Sequence, residues 1–353
     1  MSSDRVVAHL REQATFCTAY GSPLTGHLLE RLADDVVSGG PTAALVAEWP
    51  TNPRADVVGL RLAGALHAAV LTARDQDLAA AYPQCDPNWT IDKVWPAARA
   101  FLARDSAWVR DFLRFAPQTN ETRRSIALLA AFLAFASDWS GPIDMLEIGA
   151  SAGLNLNWDR FQYQTSTWSW GGSASPVTID TDWQGPAPAA DRALSIRSRA
   201  ACDLNPLDIR DDAARLRLKS YVWPDQPDRL KRFDGAVALA LAHDVHVERA
   251  SADEWLRAKL HNRARDAATL IYHSVFLQYP PREAREAIIG AIHDAGARAS
   301  ANAPLAWVRL EPEAVTDGVH NGLRFVIDLH TWPGGERRII GYTDGHVRAV
   351  YAQ

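Results

Sequence analysis

The chain has 353 residues, of which 47% are hydrophobic and 22% charged, with a formal net charge of −5. That length suits two domains, or one large domain with additions, and the composition is that of an ordinary globular protein. The acidic balance argues against a nucleic-acid partner, which requires Lys and Arg gathered on one face, whereas the arginines here are scattered among acids.

The first residues carry charges where a secretory signal needs an apolar core, so no such signal is expected. Residues 1–140 read as helical throughout. Ser22 and Pro23 form an N-cap and first-turn pair for a helix to about Val37, which Gly39 and Gly40 stop. Residues 54–80 bring Val57, Leu60, Ala63, Leu66, Val70 and Leu71 near helical period, and Tyr82-Pro83 closes the run. Further helical patterns cover 90–115 and 119–138, with Pro117 between them. We expect residues 1–140 to form a helical N-terminal domain that serves as a lid or substrate-binding element. The longest apolar runs, 126–136 and 236–242, fall short of the roughly 20 residues that span a bilayer, so no membrane partner is expected.

From residue 143 short apolar runs alternate with amphipathic ones. The pattern predicts a strand over 143–148 and a helix from about 153. Residues 161–192, rich in Thr, Ser, Gly, Pro and Trp, read as an irregular or hairpin insertion. Strands follow at 195–202, 245–250 and 268–276, with helices at 209–220, 226–242, 253–263 and 281–295. Strands at 305–310, 323–330, 337–342 and 346–351 close the chain without long helices between the last ones. This order predicts an α/β domain over 141–353: a doubly wound, mostly parallel sheet with an antiparallel C-terminal edge. Cys17, Cys85 and Cys202 are too few and too far apart for a disulfide framework or a metal knuckle, which points to a reducing cytoplasm. Among the thirteen tryptophans, Trp158, Trp168, Trp170, Trp183 and Trp223 sit in loop-like contexts, as ligand walls or as ordinary packing.

Residues 143–159 carry the densest chemical information. An apolar run ends at Glu147, and Gly149 and Gly153 follow before a helix-like segment. A strand that empties through a glycine turn onto helical N–H groups suits a nucleotide-like ligand. The same turn reads Gly-x-Ser-x-Gly, the elbow of a serine hydrolase with Ser151 as nucleophile. That alternative needs earlier strands of the same sheet and a later histidine, for which His330 or His346 is available. The preceding residues read as helical, so the cofactor reading is favoured. It requires an acid at the end of the second strand, and Asp203 fills that place, about 50 residues on from Gly153 instead of the usual ~20 because of the insertion. Asp253, beside Ser251 and Trp255, closes the third strand.

The Glu147-x-Gly149-x-x-x-Gly153 turn, Asp203 and Ser251-Ala252-Asp253 resemble motifs of the class I S-adenosylmethionine-dependent methyltransferases, over residues 118–353. The whole chain resembles a bacterial family of unknown function that carries Leu-Glu-Ile-Gly-Ala-Ser-Ala-Gly-Leu-Asn-Leu. The family also has Gln-Thr-Asn-Glu (118–121), Val-Trp-Pro-Asp-Gln (222–226) and Thr-Trp-Pro-Gly-Gly (331–335). Two features depart from the methyltransferase pattern: Ser151 stands where many members have Gly, and the insertion separates the first two motifs.

The methyltransferase resemblance implies a Rossmann-like fold and S-adenosylmethionine as cofactor. Glu147, Gly149, Ala150, Ser151 and Gly153 would surround its amino-acid end, Asp203 its ribose and Asp253 its adenine. Gln118, Thr119 and Asn120 precede a helix that in this fold often lies across the cofactor; a plain helix cap completed by Glu121 explains the same letters. Asn155 and Asp159 share one side of a helix, with Asn157 between them, as ligand contacts or solvated surface. For catalysis, His273 at the end of the fourth strand is the leading general base or acceptor-orienting group, with a hydrogen-bonded core histidine as the alternative. Tyr279 follows on the same exit. Asp225 borders the acceptor pocket or caps a helix. His243 and His246 lack a third ligand, so no metal is expected. The implied reaction is methyl transfer to a small molecule, driven by positioning and water exclusion. A non-catalytic cofactor-binding or regulatory protein of the same fold is the alternative, and a Ser151 hydrolase ranks below it.

Overall fold

Proline, glycine and short polar side chains set the ends of the first helices. A computed structural model describes residues 2–118, 120–318 and 324–353. Helix α1 (Ser2–Ala19) packs along α2 (Pro23–Val37), which starts where Ser22 accepts from the Thr25 N–H and Pro23 takes the first turn. α3 (Pro41–Val46) follows the Gly39-Gly40 stop. Residues 54–80 divide into α4 (Val58–Leu71) and α5 (Gln76–Ala81). Ala73 turns to φ 49°, and the Asp75 side chain caps the second helix through the Leu78 N–H at 2.8 Å. Residues 90–115 divide likewise at Asp105 into α6 (Ile91–Arg104) and α7 (Ser106–Leu113). A local helix signal runs through both breaks, which is why periodicity alone joins them.

The chain forms two compact units: Met1–Thr119 with Arg210–Phe233, and Asn120–Ile209 with Asp234–Gln353. The division falls at 119/120, not near 140, because α8 (Ser125–Ala136) belongs with the sheet. It is apolar on all sides, and all but one of its residues are buried. A helix of that kind needs cover all round. Strand β1 (Pro142–Ile148) follows, and among the described residues it is the first strand. The predicted helix from about 153 is a 3₁₀ segment, Leu154–Arg160, broken at Asn157. The insertion forms a small sheet of β2 (Gln162–Gln164), β3 (Ser169–Trp170) and β4 (Thr178–Asp180). It then sends β5 (Asp182–Gln184) to an edge of the main sheet. β6 (Ser195–Asp203) returns beside β1.

Residues 210–233 rejoin the helical unit. α9 (Asp212–Ser220) packs on α4, and the Ser220 carbonyl meets Nδ1 of buried His67 at 3.1 Å. α10 (Pro227–Ala242) contains the second division, at 233/234.

The rest of the second unit completes the sheet. The elements are β7 (Glu248–Arg249), α11 (Ala252–His261), β8 (Ala268–Ser274), α12 (Arg282–Ala297), β9 (Leu305–Pro312), α13 (Glu313–Thr316), β10 (Phe325–Trp332), β11 (Glu336–Thr343) and β12 (Ala349–Ala352). The strand predicted at 245–250 is thus only two residues long, and Leu323, predicted to begin the strand at 323–330, lies outside the described residues. The nine-stranded order is β5-β12-β11-β10-β9-β8-β1-β6-β7. Strands β7, β6, β1, β8 and β9 are mutually parallel, β10 to β12 add antiparallel hairpins, and β5 runs parallel to β12. The architecture is therefore mixed α/β around a large, mostly parallel sheet.

Side chains alternate across this sheet. Leu146, Ile148, Ile271, Leu305 and Trp307 pack with residues of α11 and α12. Tyr272 faces the other way, its ring 5.4 Å from Phe132 of α8. Helices thus cover both faces, as a buried parallel sheet requires.

Candidate functional site

Strand order reverses at β1: the chain moves from β1 to β6 and β7 on one side and then returns to β8 on the other. Such a reversal opens a crevice at the carboxyl ends of the strands. The glycine turn lies there. Gly149 (φ 67°), Ser151 (φ 55°) and Gly153 (φ 73°) all take left-handed backbone. A Cβ at Gly149 would overlap the Phe276 ring, and one at Gly153 would stand 2.7 Å from Val245 Cγ1 and 2.9 Å from Val247 Cγ2. Glycine is required at both by conformation and by space.

The turn's own donors are used internally. Ala150 N–H donates to the Cys202 carbonyl at 3.1 Å and Gly153 N–H to the Ala150 carbonyl at 2.8 Å. Ser151 N–H donates to Asp203 Oδ2 at 2.8 Å. Asn120 Oδ1 accepts from Ala152 N–H at 3.2 Å and from Leu154 N–H at 3.1 Å. Asn120, from the 118–121 motif, thus meets the turn. Gln118 belongs to the helical unit, and Thr119 lies outside the described residues. Asp203 Oδ1 also accepts from Asn205 N–H at 2.8 Å, so the acid ties the exits of β1 and β6 together.

Beneath the turn lies a buried polar layer. Glu147 is almost inaccessible, and burial pushes its carboxyl up to about 8, opposed by the Tyr272 hydroxyl at 3.3 Å and reinforced by the nearby charge of Asp203. Asn155 and Asn157 are not solvated surface but buried, and Asn155 Oδ1, Asn157 Nδ2 and Trp158 Nε1 have no hydrogen-bond partner. Asp159 pairs with Arg199. Asp253 sits half-buried in the first turn of α11. Leu204, 66% exposed, follows Asp203, and Tyr279, 73% exposed, follows β8. Two apolar side chains thus stand in water beside the strand exits that flank β1.

His273 is not placed as a general base. It is 1% exposed; its Nδ1 is 2.7 Å from Glu311 Oε1, and its Nε2 accepts from Trp307 Nε1 at 3.1 Å. Both ring nitrogens are committed to the core. Asp225 is likewise structural. Its Oδ1 accepts from the Ser22 hydroxyl at 2.6 Å and its Oδ2 from Leu24 N–H at 2.9 Å, which caps α2. Burial raises its carboxyl above the usual range, against those two hydrogen bonds. The histidines offered for a hydrolase lie far from Ser151. β10, which carries His330, is three strands from β1, or about 14 Å at the usual spacing. His330 Nε2 also meets Arg309 at 3.2 Å, and His346 lies beyond β11.

Glu311, Arg309 and Asp328 escaped the sequence reading. Arg309 makes a two-pronged pair with Asp328 at 2.7 and 2.6 Å, and Glu311 and Asp328 are wholly buried. The available signal was Arg309 and Glu311 at alternate positions of an apolar strand, which marks the end of one face as polar. In the helical unit, a small cavity of about 10 Å³ is bordered by Leu24, Leu60, Tyr82, Tyr221 and Trp223. That is room for one water rather than a substrate. No three His, Cys, Asp or Glu side chains gather as a metal site among the described residues, and no helix there is long and apolar enough to cross a membrane.

Sheet order defines a mixed α/β protein with a glycine turn where the strand order reverses. The chain belongs to a family described as an uncharacterized protein conserved in bacteria (DUF2332), whose profile matches residues 7–351. No curated protein and no solved structure matches it.

Proposed function

We propose that the sheet-bearing unit is a Rossmann-like S-adenosylmethionine-dependent methyltransferase acting on a small-molecule acceptor. The observation that carries this reading is the glycine turn at the β1 exit, closed by Asp203 from the β6 exit. The order β7-β6-β1-β8-β9 repeats the 3-2-1-4-5 order of doubly wound nucleotide-binding sheets, and the turn lies at its switch point.

The residues suit this cofactor better than a dinucleotide. A pyrophosphate needs several free N–H groups at a helix N-terminus. Here those of Ser151, Ala152, Gly153 and Leu154 are taken, and the following helix is a short 3₁₀ segment. A nucleoside without phosphates makes no such demand. Asp203 has one N–H on each oxygen and keeps a further lone pair on each, which suits ribose hydroxyls. Glycine at 149 leaves the space that the Phe276 ring fills, so ligand approach to that backbone depends on the ring. When bound, the cofactor supplies an electrophilic methyl group on sulfur. The chain's own part is to orient that group and to exclude water, with Phe276, Leu204 and Tyr279 as apolar walls. The free cysteines suit a reducing cytoplasm. The helical unit is read as the acceptor-binding or lid element.

Calorimetric titration with S-adenosylmethionine, S-adenosylhomocysteine and NAD tests the reading. Saturable binding of the first two and none of NAD supports it. Folded protein that binds neither adenosyl compound refutes it.

A further inference from the structure

The exit of β8 is held in an unusual way. Val275, a β-branched residue, lies at φ 55°, a left-handed conformation that such side chains rarely adopt. Directly after it, the N–H groups of Phe276 and Leu277 do not join a helix or strand. They donate to a single oxygen, Glu311 Oε1, at 2.7 and 3.2 Å, and the same oxygen meets His273 Nδ1 at 2.7 Å. Glu311 has no exposure, and its other oxygen, Oε2, accepts no hydrogen bond. One buried carboxylate oxygen therefore fixes two loop amides and a core histidine.

What the loop presents matters for the crevice. The half-buried ring of Phe276 rests against Gly149, where a Cβ would collide with it. The ring covers the backbone that a ligand at the switch point would approach. Beyond it, Gln278 and Tyr279 are exposed. The segment thus combines backbone strain, the Glu311 anchor and a bulky ring at the mouth of the site, while Val275 N–H on the Leu310 carbonyl and buried Leu277 hold the segment around Phe276 to the sheet.

We propose that the Phe276 ring, carried on the strained turn at Val275 and flanked by buried Leu277, forms a gate over the glycine turn, latched by Glu311. With the latch made, Phe276 covers Gly149. When Glu311 releases the two amides, Val275 relaxes toward ordinary backbone and the ring leaves the turn. Three groups share one acceptor oxygen, so any rearrangement that draws the carboxylate toward its unpartnered side weakens all three bonds together. His273 acts here as a positioning residue: accepting from Trp307 at Nε2 leaves its Nδ1 proton to hold Glu311 in place. The ligand side of this gate rests on the methyltransferase reading; the latch itself does not.

Amide hydrogen exchange and S-adenosylhomocysteine association kinetics, measured on wild type, Glu311→Gln and Phe276→Ala, test it. Gln keeps the shape and removes the charge that strengthens the three bonds. In Glu311→Gln, exchange at the Phe276 and Leu277 amides should rise about tenfold while β1 and β9 amides stay unchanged. Both variants should bind S-adenosylhomocysteine about tenfold faster than wild type. Exchange that rises across the whole sheet, or stays unchanged at 276 and 277, overturns the latch. Slower or equal association in Phe276→Ala overturns the gate, because the ring is then a fixed wall, and leaves the methyltransferase reading intact. If exchange rises locally and no variant binds the ligand, the latch stands and the methyltransferase reading falls.

Discussion

Ser151 and Asp203 meet across the exits of two neighbouring strands: the serine N–H donates to the aspartate Oδ2 at 2.8 Å. The bond holds a non-glycine residue at φ 55° and orders the turn before any ligand arrives. It also recasts both residues. Ser151 is a backbone donor in the glycine turn, and Asp203 is the clasp of that turn.

Asp203→Ala removes the acceptor for two N–H groups, those of Ser151 and Asn205. It should destabilise the protein by about 2 kcal/mol and weaken S-adenosylhomocysteine binding at least tenfold. Asp203→Asn should fall between the two. Urea unfolding and calorimetry on the same samples separate the effects.

Gly149→Ala combines a left-handed backbone with overlap on Phe276. A loss of about 2–4 kcal/mol is predicted. In the double variant Gly149→Ala, Phe276→Ala the steric part should disappear and the backbone part remain. The sum of the single effects should therefore exceed the double effect by about 1 kcal/mol or more in denaturant midpoints.

Glu147 gives a pH signature. Its carboxyl is raised to about 8 by burial, so the folded protein holds a proton there that the unfolded chain releases near its ordinary value. The stability it contributes is complete below that ordinary value and is lost as pH rises toward 8. His67 and His330, both lowered to about 4 by burial, act in the opposite sense between about 4 and their ordinary value. The informative quantity is therefore the difference from Glu147→Gln. That variant should gain on wild type by several kcal/mol between about pH 5 and 8, read from urea midpoints across the range. A difference that does not change with pH contradicts the assignment.

Asp225→Ala breaks the α2 cap. A loss of about 1–2 kcal/mol is predicted from the cap, with no change in S-adenosylhomocysteine affinity. Circular dichroism melts and calorimetry read the two quantities separately, and a drop in affinity would return Asp225 to the ligand site.

Much of this molecule was legible in local chemistry. Ser22 and Pro23 start α2 because they supply a side-chain acceptor and a preset φ. The run from Pro142 to Ile148 is a strand because it is short, apolar and ends at a glycine turn. Asp203 could be found because a strand end is a topological position that spacing can count. What stayed hidden depends on partners distant in sequence. Asp225 caps a helix 203 residues away, and the His273 partner Glu311 lies 38 residues on. The loop letters around Asp225 and the apolar letters around His273 therefore fit a site as well as a core. The breaks at Ala73 and Asp105 lie inside continuous helical periodicity, and only the capping by Asp75 and the turn at Asp105 reveal them.

The proposed function requires that an adenosyl ligand occupy the glycine turn. Amide chemical-shift mapping during titration with S-adenosylhomocysteine addresses it most directly. Saturable shifts at Gly149, Ser151, Gly153 and Leu204, lost in Asp203→Ala, are predicted. Shifts absent from this turn, or confined to other parts of the chain, would contradict it.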